Sequence, residues 1–159
     1  MKKYFRKNSG FTLIELLVVI GILAILLSIV LIAINPARQF AQANQTKRRS
    51  DVVAILNAIS QYAADHKGTL PSVLQGYITA NDTTAHEIAN TGADICTDLT
   101  QTIQYIPALP SDPKAANNGA QITNCASYDT GYTVAVDANH RVTVAAPLYE
   151  LSDPISVTR

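Results

Sequence analysis

Glu15 is the one charged side chain in the 24-residue run Phe11–Ile34, FTLIELLVVIGILAILLSIVLIAI, whose only hydroxyls are Thr12 and Ser28. A carboxylate inside hydrocarbon costs about 2.5–3.5 kcal/mol at the bilayer centre on insertion scales, and less near an end, so such a group calls for a partner. Gly10, a small residue, stands directly before the apolar block, and a cut at Gly10–Phe11 would discard a basic leader while keeping the whole hydrophobic helix. It would also leave a cationic amine on Phe11, one helical turn from Glu15. Amine and carboxylate offset by a turn can pair between neighbouring staggered chains and neutralise each other where water is absent. The competing use is an interfacial glutamate that merely reaches the headgroups. Glu15 alone weighs the two about evenly, and the leader with Gly10 favours pairing.

The other reactive side chains form no recognisable catalytic set. There is no G-x-S-x-G, H-E-x-x-H, P-loop or G-x-G-x-x-G pattern, and His66, His86 and His140 are scattered. The sequence therefore points away from an enzyme. Cys96 and Cys125 make no C-x-x-C and sit at no ligand spacing to a histidine, which argues against zinc. If this half of the chain is exported, one disulfide is the natural reading, worth about 3–4 kcal/mol in the chain-entropy model; the alternative is two unrelated buried thiols. Asp112, Asp129 and Asp137 could supply oxygen ligands, but no EF-hand-like ligand run is present and turn-forming aspartates fit better. Lys47-Arg48-Arg49 could touch DNA or lipid phosphates; a solvated face or intersubunit salt bridges are the stronger readings of such a short basic run.

These groups must be carried by a chain of 159 residues, 48% apolar, with formal net charge zero. The average hides a split: Lys2, Lys3, Arg6 and Lys7 precede Gly10, so removing residues 1–10 takes four of twelve cations and no anion, leaving 8 − 12 = −4. A mildly acidic product argues against broad nucleic-acid binding, and the basic leader suits an anionic cytoplasmic membrane face. About 20 apolar residues span a bilayer as a helix, so Phe11–Ile34 is long enough, with residues 1–10 in the cytoplasm and the bulk of the chain outside. An ordinary secretory signal would have a shorter core followed by a small-residue cleavage site, whereas Ile34-Asn35-Pro36-Ala37-Arg38 offers a poor one.

The run Lys-Asn-Ser-Gly10 followed by Phe11-Thr12-Leu13-Ile14-Glu15-Leu16 resembles the class III signal of type IV pilins and type II secretion pseudopilins, firmly over residues 5–35. The resemblance implies a prepilin peptidase that cuts after Gly10 and N-methylates Phe11, and a role for Glu15 in recruiting the subunit into a filament. It further implies other copies of the chain as partners, with an inner-membrane platform protein and a cytoplasmic assembly ATPase; a DNA partner is only weakly supported. Tyr62, Asp65 and Gly68-Thr69-Leu70-Pro71 look like a stretch of major pseudopilins and some minimal pilins, and Pro110-Ser111-Asp112-Pro113 continues that likeness weakly.

The expected fold is α+β: a long N-terminal α-helix packed on a small C-terminal antiparallel sheet, the pilin ladle. Residues 1–10 form the leader, 11–35 a transmembrane or filament-core helix, 36–67 its amphipathic continuation and 68–159 a globular head. Asn35-Pro36 should interrupt the helix: Pro36 removes a backbone donor and clashes with the preceding turn, so a kink or local unwinding is expected there; Gly21 is a second soft point. Val52, Ile55, Leu56, Ile59, Tyr62 and Ala63 recur at helical steps and mark one apolar face, and Gly68 with Pro71 ends the helix. Thr102–Ile106 reads as a strand, and Tyr132–Val136 with Arg141–Ala145 reads as a hairpin around Asp137–His140, its Val134, Val136, Val142 and Val144 facing the helix. Residues 72–99 should hold one short helix and loops. The preferred function is a subunit of a type IV pilus-like surface fibre used in adhesion, twitching or DNA uptake. The alternatives are the major pseudopilin of a type II secretion system and a single-pass anchored binding domain that never polymerises. The chain would sit in the cytoplasmic membrane before assembly and then in a surface pilus or periplasmic pseudopilus, with no cofactor.

Overall fold

The structure, a computed structural model, describes residues 10–101 and 105–159. Leader residues 1–9 and residues 102–104 of the expected Thr102–Ile106 strand lie outside the described residues; Tyr105 and Ile106 lie in bends. The chain divides into two compact units, Met1–Phe40 and Ala41–Arg159.

Helix α1 spans Leu13–Ile34 and buries none of its side chains. Its length and hydropathy suffice to cross a membrane. A helix suits such a segment because every backbone N–H finds its acceptor within the same stretch. Gly21 lies inside α1 without interrupting it. The break falls at Asn35, in the left-handed region at φ 47°. Helix α2, Pro36–Asp65, then begins with the proline at its first position, where the missing N–H is not needed. Asn35 also opens α2: its backbone oxygen accepts from Arg38 N at 3.1 Å and Gln39 N at 3.4 Å. The helix is thus interrupted at Asn35–Pro36, as the sequence suggested, with Pro36 as the first residue of the new segment.

Along α2 the buried positions Val52, Ile55, Leu56 and Ile59 match the sequence periodicity, and the same face runs back through Arg48 and Gln45. The helix closes with Gly68 N donating to Ala63 O at 2.7 Å around Lys67 (φ 57°) and Gly68 (φ 90°), the geometry in which a left-handed residue turns the chain away. Residues 72–99 contain more order than expected: helix α3 (Ser72–Ala80), strand β1 (His86–Ala89) and the start of helix α4 (Cys96–Thr100). Strands β2 (Asp129–Val136), β3 (Val142–Ala146) and β4 (Ile155–Thr158) complete an antiparallel sheet in the order β1-β2-β3-β4.

The expected hairpin is present as β2–β3, with Val136 opposite Val142 and Val134 opposite Val144. All four valines are buried together with Val52, Ile55, Leu56 and Ile59 of α2 in one core. The period-2 alternation of β2 and β3 thus meets the period-3.6 stripe of α2 across a single apolar layer.

Gly131 in β2 has φ 70°, and a Cβ there would lie 2.9 Å from Ala115 Cβ and 3.1 Å from Asp112 Cβ. Gly76, inside α3, has open space at that position. Gly131→Ala is therefore expected to lower stability by about 1–3 kcal/mol, and Gly76→Ala to raise it by up to about 1 kcal/mol. Urea titrations of the detergent-solubilised chain check both, and equal responses would contradict the packing described.

Candidate functional site

The N-terminal residues singled out by sequence lie together at the start of α1. Thr12 is the N-cap, with Glu15 at the third helical position. Glu15 N donates to Thr12 Oγ1 at 3.3 Å, while Glu15 Oε2 accepts from Thr12 N at 2.8 Å and Thr12 Oγ1 at 2.7 Å. This is a reciprocal capping box, which satisfies helix donors that have no partner within the helix and places a carboxylate at the positive end of the helix dipole. Glu15 thus has an intrachain partner that sequence reasoning missed, although the spacing Thr12-x-x-Glu15 is its usual signature. Both bonds fall on one carboxylate oxygen. Phe11 is 93% exposed just ahead of the cap, and Phe11, Ile14, Val18 and Val19 surround Glu15. The arrangement offers an anionic group set in an apolar helix end, together with an accessible Gly10–Phe11 bond.

In residues 41–159 the strongest electrostatic feature is Arg48, expected on a solvated face or in intersubunit salt bridges and instead fully buried. Its Nε and Nη2 donate to Asp112 Oδ2 at 2.6 Å and Oδ1 at 3.0 Å, a two-pronged pair with both side chains inaccessible. Nη1 reaches Glu150 Oε2 at 3.0 Å. Glu150 also accepts from Asn44 Nδ2 at 2.9 Å and pairs with Lys114 Nζ at 2.7 Å. The donors Lys114, Asn44 and Arg48 outweigh burial and hold the Glu150 carboxyl at about 2. Lys47 Nζ donates to Asp51 Oδ2 and to Ser111 O, both at 2.7 Å. Tyr132 OH donates to Asp51 at 2.7 Å, and burial with that acceptor pushes its hydroxyl well above the usual range. Position 48 lies four residues before Val52 on the buried stripe of α2, a signal that extending the apolar periodicity backwards would have caught.

Asp112, Asp129 and Asp137 go to separate tasks. Asp112 also accepts from Lys114 N at 2.8 Å, so it joins a turn to the buried ion pair. Asp129 accepts from Gly131 N at 2.8 Å, and Asp137 from Asn139 N, Arg141 N and Arg141 Nε across the β2–β3 turn. Cys96 and Cys125 form a disulfide, with Cα atoms 5.5 Å apart, that ties α4 to the loop before β2. His66 stacks on Tyr62, His86 stacks on Tyr77 and bonds Asp82, and His140 is exposed in the β2–β3 turn.

The family model described as the prokaryotic N-terminal methylation motif matches residues 5–31. The chain is 37% identical over 109 residues to type II secretion system core protein G of Aeromonas hydrophila, covering 68% of each protein. It is 41% identical over 76 residues to the protein of that name from Vibrio cholerae, covering 48% of this chain and 49% of that one. To the Dickeya chrysanthemi protein it is 33% identical over 113 residues, covering 70% of this chain and 66% of that one. No solved structure matches the chain.

Arg48→Met strands the buried Asp112 carboxylate and is expected to cost about 3–5 kcal/mol, most of it regained by adding Asp112→Leu. Urea midpoints of the two variants test this, and an unimproved double variant would contradict it. Glu150 is held below its ordinary value, so its contribution is full above pH 4.5 and fades as pH falls toward 2. Acid titration of Glu150→Gln should show less loss across that window than the parent chain.

Proposed function

The chain belongs to the type IV pilin and type II secretion pseudopilin family, and from that premise we propose that it is the major pseudopilin of a type II secretion system. In this reading it polymerises from the cytoplasmic membrane into a periplasmic filament. The family is one of structural subunits, and the chain is not an enzyme. The observation that carries the proposal is the reach of the Aeromonas similarity. The methylation motif, at residues 5–31, is common ground for pilins and pseudopilins, whereas a match of 109 residues extends well into the part after α1 that separates one family member from another. The surface-pilus reading favoured by sequence has the motif and the disulfide in its support, but no comparable likeness in the head.

Processing removes residues 1–10 and methylates the new amine of Phe11. The apolar surface of α1 keeps the subunit in the membrane and then packs in the filament core. Glu15, whose Oε2 is taken by Thr12, offers Oε1 to the Phe11 amine of a neighbouring subunit, so that the two charges enter an apolar interior together. A platform protein and a cytoplasmic ATPase drive extrusion.

Mass spectrometry of the chain from its native cells should find a mature N-terminus at N-methyl-Phe11. Deleting the gene should stop release of type II-secreted proteins while leaving surface pili in place; loss of pili with secretion intact would sink the pseudopilin reading in favour of the pilin. Glu15→Leu should be cleaved and remain in the membrane but fail to restore secretion. Full restoration would mean that Glu15 has no part in assembly.

A further inference from the structure

Asn118 is the one asparagine of the chain that precedes a glycine. Such a pair carries its own reaction. The backbone nitrogen of the following residue can attack the side-chain carbonyl carbon and close a five-membered ring, a step favoured by the enforced proximity of the two groups. It needs a nitrogen not engaged in a hydrogen bond, no side chain obstructing the approach, and a backbone that can turn.

Asn118 is exposed in the loop before β2, and among the described residues its side chain makes no hydrogen bond and Gly119 N donates to no acceptor. Other asparagines in turns differ. After Asn81, Asp82 N donates to Tyr77 O at 2.9 Å; after Asn139, His140 N donates to Asp137 O at 2.9 Å. Asn44 and Asn57 lie inside α2, where the helix takes the following nitrogen. Asn118 (φ 48°) and Gly119 (φ 76°) are the central residues of a turn closed by Ala120 N donating to Asn117 O at 3.0 Å, the positive-φ pairing usual for Asn-Gly. That single bond lies on an exposed loop, so the turn can open without disturbing the core.

We propose that Asn118 is a self-modification site, converted to aspartate and isoaspartate by attack of Gly119 N. The nitrogen gives its proton to solvent base, the N–Cγ bond forms, the Cγ–Nδ2 bond breaks, and ammonia leaves behind a cyclic imide. Water then opens the imide. Opening at Cγ gives aspartate; opening at the backbone carbonyl gives isoaspartate, whose main chain runs through Cβ and Cγ. The sum is asparagine plus water to an aspartyl product plus ammonia, with no enzyme or oxidant. Gly119 sits against the segment that holds Arg48: a Cβ on it would lie 3.2 Å from Pro113 Cα and 3.8 Å from Lys47 Cε. Pro113 follows Asp112, the buried partner of Arg48. Ala115 N donates to Asp112 O at 3.0 Å and Asn118 N to Ala115 O at 2.8 Å, so successive turns join the two places. Isoaspartate lengthens the main chain at the end of this series and loosens the seat of Asp112, whereas aspartate with a normal backbone keeps it.

The test incubates the full chain in detergent, in neutral and in mildly alkaline buffer, and follows it by fragmentation mass spectrometry. Conversion should be faster in the alkaline buffer, because the attacking nitrogen must lose its proton, and should fall on Asn118 while Asn139 stays intact. Asn118→Asp, which has no amide to lose, should abolish the ammonia release. An Asn118 that stays intact in the folded chain would overturn the proposal, whether or not it converts in urea. Isoaspartyl chains separated from the aged parent should unfold at lower urea than Asn118→Asp chains. Equal midpoints would overturn the link to Asp112.

Discussion

Arg48 sets the terms on which residues 41–159 can fold. Its guanidinium is wholly enclosed, and removing a cation from water costs several kcal/mol unless counter-charges meet it with good geometry. Those charges come from two distant places: Asp112, before β2, and Glu150, after β3. Around this centre Lys47, Arg48 and Lys114 face Asp51, Asp112 and Glu150, three cations against three anions. The network is balanced only when α2, the segment before β2 and the β3–β4 loop are all in place. Apolar burial between α2 and the sheet supplies most of the attraction, but it is non-directional. The two-pronged Arg48–Asp112 pair has a fixed planar fit, so it also sets the register in which α2 lies on the sheet.

The helix α1 meets a different constraint, that of a segment whose surroundings offer no water. Its few polar side chains are satisfied locally: Thr12 and Glu15 by the capping box, and Ser28 by donating to Ala24 O at 3.0 Å. A helix whose polar groups are already served within the chain can exchange lipid for neighbouring helices without losing a hydrogen bond. This is the physical condition for a subunit to be stored in a membrane and drawn into a polymer.

What the sequence disclosed follows the same division. The apolar run, the stripe from Val52 to Ile59 and the alternation of β2 and β3 were readable because burial imposes a period. β4 was readable in principle, since Ile155-Ser156-Val157-Thr158 alternates, but it was not assigned. β1 has one wholly buried side chain, Ile88, and a bulge between Glu87 and Ala89, so four residues carry no usable pattern. Arg48 was misjudged because a short basic run reads as a surface, and only the fold brings Asp112 and Glu150 to it from more than sixty residues away. At the N-terminus the cleavage motif and Glu15 were plain, yet attention to a partner in another chain hid the one three residues away.

The apolar character of α1 also bears on how a polymer could acquire a defined geometry. Large side chains are exposed all along this helix, Phe11, Ile14, Leu17, Leu23, Leu27 and Leu31 among them, and such surfaces attract one another without favouring a rotation or an axial offset. Packing of α1 segments alone would give cohesion with loose register. Register needs groups that bind in one place only, and the chain offers few of them outside its buried network. Glu15 is one under the reading proposed above, because the carboxylate oxygen left free by Thr12 meets a neighbouring amine at a single offset. Cohesion from a non-directional helix and register from sparse directional contacts together account for a chain that divides so sharply into an unburied apolar part and a tightly cross-tied one.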